Sequence, residues 1–293
     1  MNETKNGTKM SREKDSIERT LKVIAYIEEN LDNELTLEHL AELACYSPTH
    51  FHRVFQGIIG ETVHSYIKRL RLEAAAGKLK YTEETVTHIA LEASYETPSA
   101  FTKAFKQTTG MAPQKYRSAY SAIKSIADKI DKLPMLEPDR IEKKMPDLEL
   151  LFVRRQGCYS VSAAKAWIAM IHFIEINKID PSQLRYFGIS HDDPQVTDEE
   201  KLRYDAAITI PSGVKEKGEV GRQRIKGGKY AVFVHCGPYN NLESTFDQIF
   251  LKWLPQSRKQ FDKSRPVFCE YFNMEHVISD QEKLIIKIYI PLL

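Results

Sequence analysis

The stretch at 101–117, FTKAFKQTTGMAPQKYR, repeats the pattern of 51–67, FHRVFQGIIGETVHSYI, fifty residues further along. Phe51, Phe55, Gly60 and Tyr66 return as Phe101, Phe105, Gly110 and Tyr116. Phenylalanines four residues apart share one face of a helix. The segment ahead of each pair repeats as well, LEHLAELA at 37–44 becoming VTHIALEA at 86–93. Thr36 reads as the N-cap of the first short helix, and Ser47-Pro48 as N-cap and first-turn proline of the next. Each copy is then a short helix, a tight turn (CYS or SYET) and a second helix. A long helix from about 61 to 80 joins the copies, and no convincing strand interrupts 16–132.

In each copy the face opposite the phenylalanines is polar. It carries Thr49, His52, Arg53 and Gln56 in the first and Ser99, Thr102, Lys103 and Lys106 in the second. Such side chains at the front of a second helix suit contacts to base edges and phosphates of DNA. The bland alternative, a helical bundle with solvated faces, accounts poorly for two copies at a near-fixed offset. Residues 1–117 hold 16 Lys/Arg against 16 Asp/Glu, so any DNA-attracting field must come from a patch. Residues 97–117 offer one, with Lys103, Lys106, Lys115, Arg117 and no acid. Two reading helices in one chain can enter successive major-groove segments about 34 Å apart, so a monomer suffices and a dimer is allowed.

After residue 133 the texture changes. LPMLEPDRIEKKMP sets three prolines among charges and reads as a linker. Beyond it lie short β-rich runs: LELLFVR, YDAAITIP, KYAVFVHC, PVFCEYF and LIIKIYIP. Helical stretches at about 162–177 and 241–254 separate them, which makes an α+β domain. This half also repeats itself, as strand, helix, strand, strand, with a Gly-x-Tyr between strand and helix each time. The expected fold class is therefore multidomain: an all-α double helix-turn-helix domain followed by an α+β domain of two strand-helix-strand-strand repeats. The expected divisions are a disordered tail at 1–14, the helical domain at 15–120, a linker at 121–145 and the α+β domain at 146–293.

In PVFCEYF, alternation puts Phe268, Glu270 and Phe272 on one face. Two readings stay open for a glutamate between aromatics. It is an exposed edge residue or forms a salt bridge with a neighbouring Lys, or it is a carboxylate in an aromatic-walled pocket facing a ligand cation. In LIIKIYIP the isoleucines 286, 288 and 290 form a core face, leaving Lys287 and Tyr289 on the other. Ala207 and Thr209 lie on the corresponding face of YDAAITIP, so a groove is expected there. Trp167 and Trp253 fall on the two helices, Trp253 as core and Trp167 as a further candidate for the groove.

Residues 20–118 resemble the DNA-binding domain of the AraC family of bacterial transcription regulators. The resemblance rests on F101-T-K-A-F-K, Gly110 and Pro113-Gln-Lys-Tyr116-Arg117. It implies two helix-turn-helix units joined by one rigid helix, with Thr49, His52 and Arg53 at base-reading positions and Ser99, Thr102 and Lys103 as their counterparts. The chain departs from the family in having Ser94-Tyr95 where Gly-Phe is usual, and in Pro98 early in the second recognition helix. Residues from about 140 to 293 resemble the GyrI-like (gyrase-inhibitor-like) domain through CGPY at 236–239, Glu270-Tyr271 and the terminal IYIPL. That resemblance implies a ligand groove with a central glutamate, here Glu270, with Tyr289 beside it.

Together these readings predict a sequence-specific regulator that binds promoter DNA and a small, cationic or aromatic effector, with RNA polymerase left open as a further partner. The competing functions are a GyrI-like hydrolase of electrophilic small molecules and a gyrase-type protein-binding module. No Ser-His-Asp order, metal cluster or phosphate-binding glycine loop accompanies Glu270, so no catalytic residue, metal or cofactor is expected. The cysteines at 45, 158, 236 and 269 form no C-x-x-C pair and read as packed thiols in a reducing compartment. With no apolar leader and no run of about 18 apolar residues, no membrane partner is expected and the cytoplasm is the expected location.

Overall fold

The computed structural model describes residues 2–129, 135–273 and 281–293, with side chains left undescribed at 2–12, 123–129, 240 and 281. Seven helices come first: α1 (Asn2–Glu29), α2 (Leu37–Leu43), α3 (Pro48–Ile59), α4 (Val63–Tyr81), α5 (Val86–Glu92), α6 (Pro98–Thr109) and α7 (Pro113–Lys129). Hydroxyl caps start five of them. Thr36, Ser47, Thr62, Thr85 and Thr97 each accept a bond from the backbone N–H three residues on, which satisfies a donor that the first turn cannot. Pro48 and Pro98 both stand in the first turn, where a missing N–H is harmless. The proline of the second unit is thus a counterpart of the first unit's, not an irregularity.

Gly60 and Gly110 end α3 and α6 in the left-handed conformation, at φ of 83° and 74°. The tight turn of each unit also needs a left-handed residue, and there the chain uses Cys45 (φ 55°) and Ser94 (φ 61°). Each copy has its own core. Val23, Ile24, Leu40, Phe51, Phe55 and Tyr66 belong to the first; Leu72, Ile89, Phe101 and Phe105 belong to the second, with Tyr116 packed against it. Connector α4 serves both, so the spacing of the two units is fixed by one helix.

The expectation of a disordered tail at 1–14 gives way to helix from Asn2 onward. Val23, Ile24 and Ile27 anchor the C-terminal half of α1, and a helix already nucleated extends without a second nucleation cost. The expected linker at 121–145 is also reduced. Helix α7 runs to Lys129 and a strand occupies 140–145, while 130–134 lie outside the described residues.

The second half is an eight-stranded sheet with helices on one face. Its elements are β1 (Arg140–Met145), β2 (Leu148–Gln156), α8 (Tyr159–Ile176), β3 (Tyr186–Ser190), β4 (Arg203–Thr209), β5 (Val220–Ile225), β6 (Gly228–Cys236), α9 (Leu242–Asp247), β7 (Phe268–Tyr271) and β8 (Ile285–Leu292). A π-helical segment, Gln248–Trp253, and a final turn, Leu254–Gln256, prolong α9. The strand order is β1-β6-β8-β7-β3-β4-β2-β5, a palindrome of two repeats that meet at the β3–β7 pair. Each repeat begins with a strand that pairs in the other: β1 with β6, and β5 with β2. Neither repeat is complete without its partner's first strand. Sequence reading places no strand at β1, β3 or β5, because RIEKKM and VGRQRI are charged edge strands and YFGIS is short and broken by glycine.

Alternation splits the sheet's side chains cleanly. Val153, Ala206, Ile208, Phe233, Ile286 and Ile288 face α8 and α9 in one core. Phe152, Phe187, Ala207, Tyr230, Phe268 and Tyr289 face the other way, in a layer that also holds Leu21 of α1. Helix α1 therefore lies against the sheet face that carries no helices of its own, while Tyr81 at the end of α4 packs on Phe250 and Phe261 on the helix-bearing side. Among the described residues no helix is long and apolar enough to cross a membrane.

Candidate functional site

Three groups of side chains bear on function. The first is the exposed face of α3 and α6. Thr49, Arg53 and Gln56 are exposed and His52 is half-buried; Ser99, Lys103 and Lys106 are exposed and Thr102 is half-buried. Phe51 and Phe55, like Phe101 and Phe105, are fully buried on the opposite side, which holds each polar face outward. Arg53, Gln56, Lys103 and Lys106 form no side-chain hydrogen bond or ion pair among the described residues, so their donors are free for a partner. Arg117 is different. It donates to the carbonyl oxygens of Leu79 (3.4 Å) and Glu84 (2.5 Å), fastening α7 to the end of α4, and so leaves the cationic patch expected at 97–117.

The second group is built around Glu270 on β7, which is 4% exposed. Register places Glu270 beside Phe187 of β3 and Lys287 of β8, and Phe268 beside Tyr289. The rings of Phe268 and Tyr289 stack at 4.5 Å and 11°, and Tyr230 and Phe187 pack edge-on against Phe268. Tyr289 donates its hydroxyl to Glu270 Oε2 at 2.7 Å, and burial together with that bond raises the phenol's pKa, keeping it a donor. The other carboxylate oxygen accepts from Arg185 Nε at 2.7 Å. The aromatic wall and the ion pair, two readings left open by the sequence, coexist here, and the basic neighbour is an arginine rather than a lysine.

Of the five residues expected at this site, Phe268, Glu270 and Tyr289 come together. Phe272 is half exposed at the end of the same face, beneath Lys287 Nζ at 4.2 Å from its ring. Trp167 lies on the opposite side of the sheet, on α8, where its Nε1 donates to Tyr204 at 3.1 Å. An open depression of about 330 Å³ beside Leu136, His235, Cys236 and Thr245 touches none of the five.

The third group, which sequence reading missed, joins the two halves of the chain. Arg154 of β2 donates to Glu28 of α1 at 2.5 and 3.0 Å and to Asp205 of β4 at 2.7 and 2.8 Å. Arg203 donates to the same Glu28 at 2.5 Å, to Tyr66 at 3.1 Å and to Asp192. Tyr66 in turn donates to Glu28 at 2.9 Å. Glu73 of α4 accepts from Arg69 at 3.0 Å and from Thr197 at 2.6 Å. Burial alone would raise each carboxylate, but Arg154 and Arg203 outweigh it at Glu28 and hold it at about 2; Arg203 does the same for Asp192. Glu73 goes the other way, pushed up to about 7 by burial and by the charge of Asp192. Nearby, Lys80 pairs with Asp193 at 2.6 Å.

One further cluster bears on metals. Glu84, just ahead of α5, and His88 and Glu92 on it present ligand atoms within 4.8 Å of one another. Lys78 Nζ sits 2.6 Å from Glu92 and 4.0 Å from Glu84, so the chain supplies its own cation there.

Comparison with known proteins agrees with this division. Residues 140–293 match the GyrI-like small molecule binding domain, and residues 40–119 match a helix-turn-helix domain. Over 97 residues the chain is 39% identical to the uncharacterised HTH-type transcriptional regulator YbfP of Bacillus subtilis, covering 33% of each chain. It is 38% identical over 95 residues to the transposon Tn10 TetD protein of Escherichia coli, covering 32% of this chain and 69% of that one. It is 37% identical over 95 residues to the HTH-type transcriptional activator AarP of Providencia stuartii, covering 32% of this chain and 70% of AarP. The chain spans only a third of the B. subtilis regulator. The chain belongs to the AraC-type helix-turn-helix regulators and carries, as its second half, a GyrI-like small-molecule-binding domain.

Proposed function

We propose that this chain regulates transcription by binding promoter DNA through α3 and α6, and that a small molecule bound at Glu270 modulates that binding. The observation that carries the second part is the shared sheet face. The Glu270 site and the surface that receives α1 belong to one apolar layer, from Tyr289 and Phe268 through Phe187 and Ala207 to Phe152 and Leu21. A ligand that spreads the rings at one end changes what α1 rests on at the other. Only a ligand that prefers one of the two packings can shift DNA affinity.

In this reading Arg53, His52, Thr49 and Gln56 face base edges of one major-groove segment, and Ser99, Thr102, Lys103 and Lys106 face the next. Both heads belong to one chain, so a monomer is enough to occupy a site. The function is binding rather than catalysis: Glu270 has both oxygens engaged by Arg185 and Tyr289, which leaves it poorly placed as a base.

The test is DNA affinity measured with and without a cationic aromatic ligand, in wild type and in Glu270→Gln. The expected result is a ligand-dependent change in wild type that Glu270→Gln removes without altering ligand-free DNA binding. An equal ligand response in both proteins refutes the assignment of Glu270.

A further inference from the structure

The Glu270 site already holds a cation. Arg185 precedes β3, its side chain is 48% exposed, and Glu270's is 5% exposed. The guanidinium reaches inward, binds Glu270 Oε1 through Nε at 2.7 Å, and lies with Cζ 5.1 Å from the centre of the Phe187 ring. A planar cation over an aromatic face and against a buried carboxylate is the arrangement a cationic ligand would adopt. The remaining oxygen of Glu270 is held by Tyr289, whose ring is itself fixed by stacking on Phe268. The carboxylate is thus pre-oriented toward Arg185 by groups that do not depend on Arg185.

We propose that Arg185 is an internal stand-in for the ligand, and that the site admits planar, delocalised cations bearing N–H donors, of the amidinium or guanidinium class, which displace it. This rests on the reading of Glu270 as the ligand's carboxylate. Two features favour this reading. The Oε1 lone pairs accept an N–H bond in the plane of the group. A half-exposed side chain at the start of a strand can also swing to solvent without disturbing the sheet, which a buried one could not. While Arg185 is docked the site is closed, so the apparent affinity for any external cation is the intrinsic affinity reduced by the open fraction. Arg185 thereby sets a threshold, rejecting cations that do not compete with a guanidinium at high local concentration.

The experiment is isothermal titration of the full chain with p-aminobenzamidine, with phenyltrimethylammonium as a tetrahedral cation lacking N–H donors. Wild type, Arg185→Ala, Arg185→Met, Glu270→Gln and Arg185→Ala/Glu270→Gln are compared, each first shown to melt cooperatively. Arg185→Met keeps the bulk of the stem should the alanine variant pack poorly. With Arg185 docked roughly 90–99% of the time, removing it tightens p-aminobenzamidine binding about 10- to 100-fold. The gain for phenyltrimethylammonium is expected to be several-fold smaller, and neither gain survives in the double variant. If the probe binds wild type in a Glu270-dependent way and both Arg185 variants bind it no more tightly, the stand-in is refuted while the Glu270 reading stands. If Glu270→Gln binds as well as wild type, or no variant binds either cation, both fail. An equal gain for the two cations overturns the planar class.

Discussion

Arg203, on the fourth strand of the sheet, donates from Nη1 to the hydroxyl of Tyr66 on the connector helix at 3.1 Å. Tyr66 is one of the residues the duplication preserves, and its counterpart Tyr116 has a buried hydroxyl with no partner among the described residues. The same ring packs on the same kind of phenylalanine in each copy, at 5.5 Å from Phe55 and 5.4 Å from Phe105. Only the first copy's hydroxyl was recruited to hold the two halves together. Tyr66→Phe should therefore lose about 1–2 kcal/mol of stability, while Tyr116→Phe should be neutral or slightly stabilising. Urea denaturation of the two variants checks this, and equal losses would contradict it.

Glu28 is the only carboxylate bonded to both Arg154 and Arg203 among the described residues, and it comes from the other half of the chain. Glu28→Gln leaves two buried guanidiniums short of a charge, which is expected to cost about 3 kcal/mol. The expected signature is earlier proteolysis between α7 and β1 than in wild type, since loss of this anchor frees the halves. Unchanged cleavage kinetics would show that the remaining contacts, among them Thr197–Glu73, Arg203–Tyr66 and Lys80–Asp193, suffice to hold them together.

Glu73 gives the junction a pH dependence of calculable sign. Its folded pKa of about 7 lies above the unfolded value of 4.5, so the native state holds the extra proton between them. Stability from this group is complete below about 4.5 and falls as pH rises through about 7. Glu28 and Asp192, held at about 2, act oppositely and lose their contribution as pH falls from the ordinary carboxylate range toward 2. Wild type should accordingly be most stable near pH 4.5 to 5 and lose about 1–3 kcal/mol by pH 8. Glu73→Gln should flatten the upper limb alone, as read from melting temperature against pH.

Cys45 and Ser94 occupy left-handed backbone that disfavours a side chain. Ser94→Gly is expected to raise stability by about 0.5–1 kcal/mol, the relief of that conformation less glycine's greater unfolded-state entropy. Thermal denaturation decides the sign.

The two heads are expected to differ in what they contribute to DNA binding. Arg53→Ala should cost about 1–3 kcal/mol of discrimination between sites, while Lys103→Ala should weaken all sites alike and reduce the salt slope by about one. Binding to specific and scrambled duplexes at several salt concentrations separates the outcomes. Equal loss of sequence preference in both variants would remove the division of labour.

The helical half was legible because its constraints are local. Phe pairs, hydroxyl caps and Pro48 or Pro98 recur at fixed spacing, and each acts within a turn or two of helix. The sheet's interior was legible too, since Ile286, Ile288 and Ile290 alternate against buried helices. What escaped were polar residues whose partners lie far along the chain. Glu28 meets Arg154 and Arg203 across 126 and 175 positions, and no periodicity announces that. Arg185 escaped for the same reason, being 85 residues from Glu270, although its place two before Phe187 put both on one strand face.

The outermost strands, β1 and β5, carry another meaning beyond exchange between repeats. Both are charged along their length, with Arg140, Glu142, Lys143 and Lys144 on one and Arg222 and Arg224 on the other. A flat apolar edge invites a foreign strand, and charged edges refuse one. The duplication thus terminates the sheet at both ends with the same kind of guard. Growth by strand addition, whether into fibrils or into a continuous sheet across two molecules, is disfavoured at both ends.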